Sequence, residues 1–96
     1  MTRNEQRLHD SAEVLLVWLR TAKGIHKEAA ESLKAALGDL AEEWVSTDVI
    51  PKSAANLLVD LASGIDSCSE LYHGNEAASI RDLAIEIGDL VRKCVS

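Results

Sequence analysis

Catalysis or metal binding in this 96-residue chain would have to be built from three histidines, two cysteines and sixteen carboxylates, so their spacing comes first. His26 and His73 each stand beside a glycine-marked turn, close to Lys23, Lys27, Tyr72 and Glu76. If the two turns lie at one end of a helical bundle, His26, Tyr72 and His73 converge there as a small-ligand or metal site. Against that, no His-x-x-x-His pair offers two ligands from one helical face. Solvated turn residues are the stronger reading, and no metal or cofactor is expected. His9 falls at the opposite end.

The other groups are no better placed for chemistry. Glu42 and Glu43 are adjacent, so on a helix they point to different sides and do not form an acid and base pair. The apolar stripes described below carry no acid, which argues against a carboxylate-bridged metal core. Cys68 and Cys94 have no CxxC or Cys/His spacing and lie on apolar stripes, where burial lowers thiol reactivity. They are expected on different arms, too far apart to pair. There is no Gly-x-Ser-x-Gly. The chain is read as non-enzymatic.

The elements that would position these groups are helices. Ala, Leu, Glu and Lys are plentiful, there is no Phe, and one Pro and one Tyr occur. A first helix is expected over 2–23, with Thr2 and Glu5 at capping-box spacing, and Gly24 followed by Ile25 as a Schellman-type ending. A second is expected over 26–45, with Ala29, Leu33, Leu37, Leu40 and Trp44 on one stripe. Ser46, Thr47 and Asp48 signal a turn, and Pro51 fits only the first turn of a third helix starting within 48–52. That helix carries Ala54, Leu57, Leu58, Leu61, Ile65, Cys68 and Tyr72 in register and is expected to run through Gly64 to about 73. Gly74 closes it and Asn75 caps a fourth helix with Ile80, Leu83, Ile87, Leu90, Val91 and Cys94 inward. The fold class is thus all-α: one domain, 1–96, an antiparallel four-helix bundle of two helical hairpins over about 2–46 and 48–95.

The two hairpins echo one another. Residues 11–19 match 53–61 at six of nine positions, and 31–45 match 81–95 at Leu33/Leu83, Gly38/Gly88, Asp39/Asp89, Leu40/Leu90 and Val45/Val95, which suggests an internal duplication. The spacing from Leu61 to Leu83 exceeds that from Leu19 to Leu33, so the second hairpin should be longer by about one turn per arm, roughly 6 Å, and its tip should overhang. Gly38 and Gly88 are expected to record close approach of a neighbouring helix.

The echo breaks where the first helix is most apolar. On a helical wheel Leu8, Ala12, Leu15, Leu19 and Ala22 form a core stripe, but Val14, Val17 and Trp18 fall on the far side at i, i+3 and i+4 spacing, with Thr21 continuing the strip. The third helix has Asn56 and Asp60 in place of Val14 and Trp18, and can face water there. A second apolar strip that one bundle cannot bury together with the first marks a partner surface. Its burial is worth several kcal/mol at about 25 cal/mol per Å².

Charge narrows the partner. At a formal net charge of −6, phosphate binding is not expected, since it runs on clustered Lys and Arg, and neither is an anionic membrane surface. Residues 39–76 carry eight acids against Lys52 alone, an acidic block that includes Glu42, Glu43, Asp48 and Asp60 as a surface for a basic partner. The polar start of the chain reads as neither signal peptide nor membrane span, so a cytoplasmic protein is expected. The function expected is a small acidic interaction module that forms a homodimer and regulates or inhibits a larger protein. A small-ligand-binding bundle using the hairpin-tip end is the alternative, and an acidic nucleic-acid mimic is a weaker one.

Overall fold

The computed structural model describes residues 2–45 and 49–95. They form four α-helices: α1 (Arg3–Arg20), α2 (Lys27–Glu43), α3 (Lys52–Cys68) and α4 (Gly74–Val95), with a 3₁₀ turn, Ser69–Leu71, extending α3. The turn read from Ser46, Thr47 and Asp48 lies outside the described residues. The stripes expected to be core are core except at Ala22, which lies exposed beyond the end of α1. Leu15, Leu33, Leu37, Leu40, Ile65, Ile80 and Ile87 are wholly buried, and Leu57, Leu90 and Val91 pack against them half-buried.

The helix ends show how locally the boundaries are set. Thr2 caps α1 through a complete capping box: its hydroxyl accepts the Glu5 N–H and the Glu5 carboxylate accepts the Thr2 N–H, both at 3.2 Å. The far end corrects the expectation. α1 stops at Arg20, and the Schellman bonds run from Lys23 N–H to Trp18 O (3.0 Å) and from Ala22 N–H to Leu19 O (3.3 Å). Ala22, at φ 60°, therefore holds the left-handed position assigned to Gly24, while Gly24, at φ 93°, turns the chain two residues later. Similarly α4 begins at Gly74, one residue before the expected Asn75 cap, with Gly74 at φ 59°.

The helices occupy the corners of a square in the order α1, α2, α4, α3. Each hairpin is antiparallel, and across the hairpins α1 runs beside α3 and α2 beside α4 in the same direction. Both tips consequently lie at one end, where the buried Tyr72 hydroxyl donates to Leu19 O at 2.9 Å and accepts the Gly24 N–H at 3.0 Å. That bond pair ties the second tip to the first. The second tip does not overhang: Cys68, Ser69, Tyr72 and Ala77 are all buried. The extra length sits in one arm, since α4 has 22 residues against 17 in α2, whereas α3 has 17 against 18 in α1.

Packing also limits the echo. The matched pairs Ala12/Ala54 and Leu19/Leu61 are buried alike, but between them α1 buries Leu15 and leaves Leu16 half-covered, whereas α3 buries Leu58 and leaves Leu57 half-covered. With the hairpins side by side, α1 and α3 each have the opposite hairpin on a different flank, and each turns a leucine toward the other. Leu16 and Leu57 meet in the α1/α3 groove as a result. The glycines are likewise not close-approach sites. A Cβ on Gly38 would meet nothing within 4 Å, and one on Gly88 the Ala62 Cβ at 3.6 Å and the Arg92 guanidinium at 4.0 Å, both ordinary contacts. α3 runs unbroken through Gly64.

Candidate functional site

The outer strip of α1 stays open. Val14 and Val17 are 40% and 47% exposed, and Thr21 is exposed with its hydroxyl donating back to Val17 O at 2.8 Å. Trp18 differs from its neighbours. It is half-buried, covered on one side by the α1–α2 connection: the His26 ring meets it edge-to-face with centroids 4.5 Å apart, and Lys23 Nζ stands 5.8 Å from the ring centroid. The strip that the sequence singles out is open to solvent at Val14, Val17 and Thr21, but its largest member is sheltered by its own chain.

His26 also serves α2. Its Nδ1 accepts the Ala29 N–H at 3.1 Å, so this imidazole is the N-cap of the helix. The residues expected to form a ligand end are thereby divided. His26 caps a helix, Tyr72 is spent on Leu19 and Gly24, and His73 faces solvent. Glu70 and His73 have Glu-x-x-His spacing, but Glu70 lies in the 3₁₀ turn and His73 beyond it, so no α-helical face presents both. Among the described residues no group of three His, Cys, Asp or Glu side chains is arranged to hold a metal ion. His9 Nε2 is buried with no hydrogen-bond partner among the described residues.

Both cysteines are buried and free. Burial pushes the Cys94 thiol up, and its Sγ lies 3.2 Å from Leu37 O as a donor. The acids do not gather into one patch. Glu42 and Glu43 are exposed at the end of α2, Asp60 is exposed on the diagonally opposite α3, and Asp48 lies outside the described residues. Lys34 bridges the α2/α4 seam, 3.1 Å from Glu86 and 3.4 Å from Glu31. Burial works against its ammonium, but these two carboxylates outweigh that and hold its pKa above the ordinary lysine value.

A second open face escaped the sequence reading. Val59 of α3 is 78% exposed and Ile85 of α4 is 64% exposed. A shallow groove between these helices is lined by Ala62, Ala84, Ile85 and Gly88, with Asp66 and Arg92 at its edges. The signal for Val59 was in the echo, because it aligns with Val17, the outward valine of the first hairpin. Ile85 aligns with Ala35 and had no such signal.

With this geometry in hand, comparison with known proteins adds no relative. The chain matches no family model, no curated protein and no solved structure. No helix among the described residues is long and apolar enough to cross a membrane.

Proposed function

We propose that this protein is a non-catalytic docking module that pairs with a second copy of itself through the outer face of α1, and acts as a regulator of a larger protein by the same docking. The observation that carries this reading is a tryptophan, half-open, flanked by two exposed valines on one helical face. An aromatic anchor with aliphatic neighbours is the composition of an interface hot spot. Magnitude sets the strength of the pairing. The area still open on Val14, Val17 and Trp18 is worth roughly 1–2 kcal/mol per side chain at about 25 cal/mol per Å². Association costs about 4–15 kcal/mol in lost freedom, so the dimer is weak and forms only at raised concentration.

A second reading is favoured by the exposure of Val59 and Ile85, which exceeds that of Val14 and Val17. The α3/α4 face lacks an aromatic anchor, and this ranks it below α1. Light scattering over a concentration series separates the two. Val17→Asp should reduce the wild-type dimer to monomer at every concentration while leaving the circular dichroism unchanged, whereas Ile85→Asp should still dimerise. Loss of the dimer in Ile85→Asp alone would transfer the function to the second hairpin, and a wild type monomeric throughout would remove self-association.

A further inference from the structure

His26 does two things with one ring. It caps α2 through Nδ1, 3.1 Å from the Ala29 nitrogen, and it shelters Trp18 edge-to-face at 4.5 Å. An Nδ1 that accepts a hydrogen bond carries no proton, so the cap exists only while the imidazole is neutral. Histidine is the side chain whose charge ordinarily changes within the range of pH 5 to 8. We propose that His26 is a pH-operated latch on the docking face: neutral, it caps α2 and is held edge-to-face on Trp18 by that bond; protonated, it releases Ala29, and the ring beside Trp18 is no longer tied to the helix end. This rests on the reading of the α1 face as a docking surface and supplies its regulation.

The charges around the ring do not decide the matter. Lys23 stands over the same tryptophan, Lys27 and Glu28 line the pocket beside Trp18 from the first turn of α2, and Arg7 and Asp10 of α1 face His26 across the α1/α2 groove. From the second hairpin, Glu76 lies against Gly24, its Oε2 3.4 Å from where a Cβ would stand. Three cations and three acids roughly cancel. What protonation changes directly is the cap, because an imidazolium has no lone pair left at Nδ1 to accept the Ala29 N–H. Attraction between the imidazolium and the Trp18 ring needs no bond to Ala29, so it does not hold the cap in place.

The test is an NMR titration of the full chain from pH 8 to 5, at a dilution where single copies predominate. The protection factor of the Ala29 amide should fall at least tenfold, and the Trp18 indole resonance should move, with the midpoint of the His26 ring. His26→Asn keeps a capping oxygen at every pH and should leave both signals flat. Ala29 and Trp18 signals that stay fixed while the His26 ring titrates would overturn the latch, as would the same titration in His26→Asn. The dimer is read separately by scattering at neutral pH. A chain that titrates as described but never dimerises keeps the latch and loses the docking face, and one that dimerises without titrating does the reverse.

Discussion

Ala22 shows what a single backbone angle costs. It holds φ 60° to complete the ending of α1, a position where a Cβ crowds the following carbonyl and glycine does not. Ala22→Gly should therefore raise stability by about 1 kcal/mol. In a domain of this size that is a melting temperature higher by about 4–8 °C, and an unchanged or lower melting temperature would contradict the Schellman assignment. Tyr72 is the complementary case, since its hydroxyl is the partner of a buried N–H. Tyr72→Phe removes one oxygen and strands the Gly24 N–H, and chemical denaturation should show a loss of about 1–3 kcal/mol. Glu5 adds a dependence on acid. Hydrogen bonding by the Thr2 side chain holds its carboxyl below the ordinary value, against the opposing effect of burial and with help from the Thr2 N–H. The folded-state pKa is thus the lower one, so the capping box contributes its stability above the unfolded value near 4.5 and loses it as pH falls through the folded one. Thr2→Ala should flatten that part of the acid limb.

Elements were legible wherever apolar periodicity defined them, as were the starts of α1 and α3, but the end of α1 and the start of α4 were not. The stripes of α2 and α4 could be read residue by residue because Leu33, Leu37, Ile80 and Ile87 leave one face available for burial. The end of α1 was misplaced because Gly24 is the better left-handed residue on propensity, while Tyr72, forty-eight positions away, needs that glycine's N–H for itself. Tertiary demand overrode local preference. The outer strip of α1 was legible for the same reason as the stripes, but the shelter over Trp18 was not, since it depends on where the connection to α2 carries His26. The glycines were read for packing that the bundle does not impose. With nothing near a Cβ at Gly38, Gly38→Ala should stabilise the single copy by about 1 kcal/mol through helix propensity. A denaturation midpoint that falls would show that the α2 flank is contacted after all.

At the scale of the molecule, two hairpins stacked side by side share one core, and apolar side chains are left open on an outer face of each, with Val45, Val49, Leu71 and Val95 exposed besides. The Val14, Val17 and Trp18 strip lies on the first hairpin, and Val59 and Ile85 on the second. The ion pairs between helices, Arg7 with Asp39 at 3.3 Å and Lys34 with Glu86 at 3.1 Å, are partly solvated and add little to that division. The central claim is that the first of these faces is where the protein meets another surface. A dilution series followed by backbone and indole NMR tests it most directly, because each residue reports its own environment. The account predicts that resonances of Val14, Val17, Trp18 and Thr21 move together as concentration rises while those of Glu42 and Glu43 stay fixed. Resonances that move only around Val59 and Ile85, or nowhere, would contradict it.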